Sequence, residues 1–260
     1  MLAFHRASAT DKIENIQKDL DLLQVSTGFE VPETPARDIE VLPPYQHPPK
    51  KGLSKIEGQG RLLHDLASIE MQAMELGLRT LNEFPEAPAG LRSELSAVTA
   101  SEGSHLKLCL QGLEKLGYRW GDWPAHCSLW YATSAQDTLI DRMLIVHRYL
   151  EGSGLDAGDQ ILNRLKAVNA PDVVRILTII SDDEVQHVDF GSRWYRRLCL
   201  DQGLDPERDF AERMWKIKTS VPRRVDRISR ELRKKAGFTD PELKICEDIR
   251  QHFLSASPTN

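Results

Sequence analysis

The segment SEGSHLKL, residues 101–108, places Glu102 and His105 three positions apart, and DDEVQHVDF, residues 182–190, repeats the pattern with Glu184 and His187. On a helix, positions three apart share a face, so each pair can grip one metal ion from one side. A lone glutamate precedes each pair at a matched distance. Glu70 lies 32 residues before Glu102, and Glu151 lies 33 before Glu184. Two Glu-x-x-His pairs, with one glutamate from each of two further helices, form the ligand set of a carboxylate-bridged dimetal centre in a four-helix bundle. One Glu-x-x-His arises easily by chance in a helical protein. Two copies with matched upstream glutamates are far harder to obtain, and the duplicated spacing suggests two helix-pair halves of an internal repeat.

The surrounding sequence supports helices at these positions. RLLHDLASIEMQAMELGLRTLNEF, residues 61–84, sets Leu62, Leu63, Leu66, Ile69, Ala73 and Leu76 at the spacing of a buried helix face, weakening at Gly77 and Thr80. Pro85 and Pro88 end this helix. A second runs from about Pro88 to Leu116, with Gly117 as its stop. The aromatic stretch YRWGDWPAHCSLW (118–130) reads as a loop. A third helix is predicted over about 128–151, breaking at Gly152-Ser153-Gly154, with a short helix near 157–168. The fourth long helix opens at Ala170–Pro171, where proline is tolerated in the first turn, and reaches Cys199.

Outside this core, TDKIENIQKDLDLLQ (10–24) reads as an amphipathic helix opened by Thr10 or Asp11. Residues from about 25 to 57 are proline-rich, and proline both lacks an amide donor and disfavours helix before it, so this passage is extended. Three shorter helices are expected near 206–217, 222–235 and 240–254. No strand pattern competes, so the class is all-α. The predicted organisation is an N-terminal helix and arm over 1–57, a four-helix bundle over 58–201, and a helical extension over 202–260.

The 260 residues, 40% hydrophobic and 28% charged, suit an ordinary globular chain with a sizeable core. The net charge of −5 is uneven. Residues 213–235 hold ten Lys/Arg against two Asp/Glu, usually the mark of a solvated helix face and otherwise a footprint for nucleic acid. Cys109, Cys127, Cys199 and Cys246 show no C-x-x-C spacing and read as reduced, mostly buried thiols. Neither a signal peptide nor a membrane span is legible, so a cytoplasmic location is expected.

Iron(II) and manganese(II) both accept carboxylate oxygen and imidazole nitrogen. Two such ions balance the charge of four glutamates, which makes burial of the assembly tolerable. Glu102 and Glu184 sit where they could bridge, Glu70 and Glu151 would be terminal, and His105 and His187 complete the two ions' shells. Six protein ligands leave open positions for O2 or a substrate. Asp183 is placed to accept the free N–H of a ligating imidazole, with His105 as the expected partner. Glu75 rivals Glu70 but breaks the symmetry of the two halves. Asp137 and Asp141 are fallbacks for Glu151, which precedes the predicted break. His64, His126 and His147 read as packing or structural residues, the last two alternatively lining a substrate entrance. Trp120, Trp123 and Trp130 read as loop and core packing.

HDLASIEMQAMEL, WGDWPAHCSLW, YLEGSGLD and DDEVQHVDFGSRWYRRLC, with ETPARDIEVLPP and ELRKKAGFTDPEL at the two ends, together resemble a ferritin-like family of unknown function. That family is related to the tRNA hydroxylase acting on hypermodified adenosine. The resemblance spans about residues 33–245. It implies a ferritin-like four-helix bundle and a dimetal centre of Glu70, Glu102, His105, Glu151, Glu184 and His187. One departure is the turn after Glu151, where relatives tend to continue Ala-Arg-Gly and this chain has Gly-Ser-Gly.

The expected function is a non-haem dimetal oxidoreductase holding two Fe ions, with Mn as the alternative. It would use O2 and an unnamed electron donor to hydroxylate or oxidise a small organic substrate, as a monomer or small homo-oligomer. The alternatives are an iron-handling or peroxide-scavenging protein, a tRNA-base hydroxylase, and an RNA-associated protein with a structural metal site.

Overall fold

The computed structural model describes residues 1–255. Its class is all-α. No strand forms among the described residues, and the one β contact among them is an isolated parallel bridge between Val41 and Ala125. The helices are α1 (Ala9–Val25), α2 (Ile56–Glu83), α3 (Ala89–Lys115), α4 (Leu139–Arg142), α5 (Glu151–Ala167), α6 (Pro171–Asp201), α7 (Pro206–Ile217), α8 (Arg230–Lys235) and α9 (Asp240–Ser255), with a π-helical segment over Met143–Leu150. None is long and apolar enough to cross a membrane among the described residues.

The chain divides into two compact units, the first made of residues 1–131 with 162–180, the second of 132–161 with the chain from 181 on.

In the first unit α2 and α3 form the main packed pair, and α1 lies against both. Ser8 caps α1, accepting the Asp11 N–H at 3.2 Å, two residues before the expected cap. Gly117 ends α3 with φ +84°, where the Gly117 and Tyr118 amides donate to Glu114 and Leu113 carbonyls. That paired arrangement needs a left-handed residue, which glycine adopts without strain. The proline-rich passage is held by backbone hydrogen bonds of Ala36 to Phe4, Leu42 to Ala125, and Ala125 to Glu40.

In the second unit the helical chain starts later than the sequence pattern suggests. Thr138 caps α4 in a capping box with Asp141, so residues 128–138 are mostly loop. It also fails to break at Gly152-Ser153-Gly154, because α5 continues straight through these residues. The cause is tertiary. A Cβ on Gly152 would lie 3.0 Å from Arg233 Nη1, so the glycine lets that guanidinium lie against the helix. Ser153 Oγ donates to the Tyr149 carbonyl at 2.6 Å. Only Arg230–Lys235 of the predicted 222–235 helix forms. The preceding loop is instead fixed by Tyr149 Oη on the Pro222 carbonyl and by the Ser229 amide on Asp156. α7 packs on α9. Arg148, 1% exposed, is clamped by both oxygens of Glu242 and ringed by Tyr195, Phe210 and Phe238.

Candidate metal centre

Close packing of α2 on α3 decides what faces Glu70. A Cβ on Gly77 would fall 2.1 Å from Thr99 Oγ1, and one on Gly112 would fall 2.9 Å from Leu63 Cδ1. These two contacts fix an antiparallel register. Glu70 lies seven residues from both Leu63 and Gly77, and His105 lies six from Thr99 and seven from Gly112, so Glu70 is level with His105. Their side chains meet accordingly. His105 Nδ1 is 3.5 Å from Glu70 Oε2 and 3.3 Å from Glu102 Oε2, and all three residues are buried. Gly77, where the apolar pattern weakens, is thus the residue that lets the helices close.

This half-site is strongly electronegative. Burial alone would lower the His105 pKa, but the hydrogen bonds and charges of Glu102 and Glu70 override it and push the value up to about 11. Two buried carboxylates beside one imidazole call for positive charge. In the metal-free chain a proton on His105 supplies part of it. The same oxygens and nitrogen are the donor types that divalent iron or manganese accept.

The second half has a similar helix register. A Cβ on Gly191 would fall 2.3 Å from His147 Cβ, and one on Gly158 would fall 3.3 Å from Ser181 Oγ. The antiparallel register through these contacts sets Glu151 level with His187, as Glu70 is level with His105. His187 Nδ1 is 3.4 Å from Glu184 Oε1, with side chains 5% and 12% exposed. Glu151 sits inside a continuous helical rod, at 8% exposure, rather than at a frayed end. Its two oxygens meet His147 Nδ1 at 2.8 and 2.9 Å.

Glu102, His105, Glu184 and His187 are candidate metal ligands, each offering one donor atom.

The rival residues are committed elsewhere. Glu75 is fully buried and bound by Lys12 Nζ at 2.6 Å and Arg37 Nη2 at 2.6 Å. Asp141 closes the α4 cap and accepts Arg213 at 2.5 Å, while Asp137 caps Ser134 and pairs with Arg142. Asp183 is an exposed residue of α6. His64 is fully buried, stacks on Trp120 and accepts the Gly121 N–H at 3.2 Å. Burial lowers its pKa to about 4. His126 Nδ1 accepts the Ser128 amide, and Trp120 and Trp130 tie the aromatic loop to Asp38 and Glu33. All four cysteines are free and buried, as expected. Two features escaped the sequence reading. The spacing of four between His147 and Glu151 was legible as a helical pair, whereas the π segment beneath it leaves no pattern in composition.

This chain belongs to the family described as protein of unknown function (DUF455), whose profile matches residues 3–244. It is similar to an uncharacterised protein of Haemophilus influenzae, 33% identical over 216 residues that make up 80% of this chain and 74% of that protein. No solved structure matches the chain.

Proposed function

We propose that the two half-sites hold a pair of metal ions, iron first and manganese as the alternative, and that the protein is an O2-dependent oxidoreductase acting on a small organic substrate. The observation that carries this reading is the repeated arrangement: a glutamate level with a histidine, beside a second glutamate three residues before that histidine. Glu70, Glu102 and His105 would serve from one half, Glu151, Glu184 and His187 from the other. A reduced iron pair supplies the electrons and O2 chemistry that no amino-acid side chain offers.

The chain's own residues hold and shield the site. The Gly77–Thr99 and Gly112–Leu63 contacts keep α2 and α3 closely packed at these levels. His147 orients Glu151 by donating from Nδ1, as outer-shell partners of metal-binding carboxylates do. His105 gives up its proton when an ion is taken. Within the same reading, the family would have a ferritin-like bundle and act on a small molecule in the cytoplasm rather than on a tRNA base. Metal analysis of protein from iron-replete cells tests the reading, followed by optical spectra on exposing the reduced form to O2. Bound iron and a transient O2-dependent absorption support it, and folded protein that refuses Fe(II) rejects it.

A further inference from the structure

A second polar feature, in the C-terminal part of the chain, is not used by the proposed metal chemistry. A small, partly open recess is lined by Arg148, Arg224, Arg233 and Arg250 with Tyr149 and Ser153. Burying a guanidinium is costly unless a carboxylate compensates it. Here the carboxylates are shared. Asp156 takes both Arg233 at 2.8 Å and Arg250 at 2.5 Å. Glu242 takes both Arg148 at 2.7 Å and Arg196 at 2.9 Å. Arg224 forms no ion pair among the described residues, and Asp226 acts on it only at longer range, so burial lowers its pKa. The four guanidinium groups that line the recess therefore have two carboxylates among them, a surplus of two positive charges.

Hydrogen bonding points the same way. Arg148, Arg224 and Arg250 each keep a buried Nε with no hydrogen-bond partner among the described residues, and Arg148 and Arg250 are only 1% and 8% exposed. Native proteins leave few buried donors unpaired, so three around one recess mark a place built for an acceptor. Guanidinium forks match the oxygens of phosphate, and a surplus of two charges suits a dianion. A backbone diester would need a groove open along its length. Arg224 and Arg233 come from the basic stretch 213–235, whose charge is thus partly directed inward.

We propose that this recess is an oxyanion site for free phosphate or the terminal phosphate of a small molecule, with Arg224 as its uncommitted cation. The test is calorimetric titration of the full chain with inorganic phosphate at constant ionic strength, using chloride as the control. Arg224 pairs with no carboxylate among the described residues, so Arg224→Gln leaves the ion-pair network intact, which the helical circular dichroism and melting temperature verify. Saturable phosphate binding, weakened about ten-fold or more in Arg224→Gln and displaced by glycerol phosphate, supports the proposal. No saturable binding, or undiminished binding in both Arg224→Gln and Arg250→Gln, overturns it. Tighter binding of an oligonucleotide without terminal phosphates, or of phosphatidylglycerol vesicles, lost in the same variants, overturns the assignment to a terminal phosphate. These readouts do not depend on bound metal.

Discussion

Glu70 on α2 and His105 on α3 face each other across a close-packed helix pair, Oε2 3.5 Å from Nδ1, with Glu102 on the same nitrogen at 3.3 Å. The pairing follows from backbone register, which small residues set on either side. Its consequences can be measured one residue at a time.

Gly77→Ala is expected to loosen the site without touching a ligand. The new Cβ would meet Thr99 Oγ1 at 2.1 Å, so α2 and α3 must part. Overpacking of this kind costs about 1–3 kcal/mol, which outweighs the gain of about 1 kcal/mol from alanine's helix preference. Chemical denaturation should show the loss, and adding Thr99→Ala should recover part of it. Equal stability of Gly77→Ala and wild type would refute the register argument.

Glu75→Gln separates the two acidic candidates of α2. It leaves Lys12 and Arg37, both buried on this carboxylate, without their counter-charge. Breaking a buried ion pair from one side costs about 3–5 kcal/mol. The variant should melt earlier while retaining the metal content of the wild type. Glu70→Gln should do the reverse, losing metal with little loss of stability.

Metal uptake should release the proton held by His105. Its pKa stands at about 11 against an ordinary 6.5. In the metal-free chain the raised value gives stability that is full below pH 6.5 and disappears as pH climbs through 11. Metal binding has the opposite sign, because the ion needs the neutral ring. Uptake should therefore tighten with rising pH above neutrality. Calorimetry in buffers of different ionisation enthalpy should find about one proton more released by wild type than by His105→Gln. Equal proton release by the two proteins would contradict this.

His147→Leu removes the donor that holds both oxygens of Glu151. Loss of such an outer partner typically weakens metal affinity about 10–100-fold. A competition assay with a chelator should report this drop for one of the two ions. An unchanged affinity would make His147 a packing residue only.

Much of the helical layout was legible because apolar spacing and stop signals coincided. Leu63 through Leu76 gave α2 its face, Pro85 and Pro88 closed it, and Gly117 ended α3. The reading failed where tertiary contacts overrode local preference. Gly152 and Gly154 signal a break, yet Arg233 lying on Gly152 carries the helix through them. Residues 222–229 have helical composition, but Asp156 and Tyr149 hold them as a loop. Within the candidate site, residue types and spacings were visible in the sequence, but not that Glu75 is held in a buried ion pair. That pairing lay out of reach, since Lys12 and Arg37 are 63 and 38 residues away. The partnership of His147 with Glu151 was missed because Glu151 was read as a helix end.

The central claim is that both halves serve one pair of ions, and the most direct measurement is anaerobic Fe(II) titration of the metal-free protein. The account predicts saturation at about two ions per chain, falling in both His105→Ala and His187→Ala while the helical spectrum persists. Retention of full stoichiometry by either variant, or a well-folded wild type that binds no Fe(II), would contradict it.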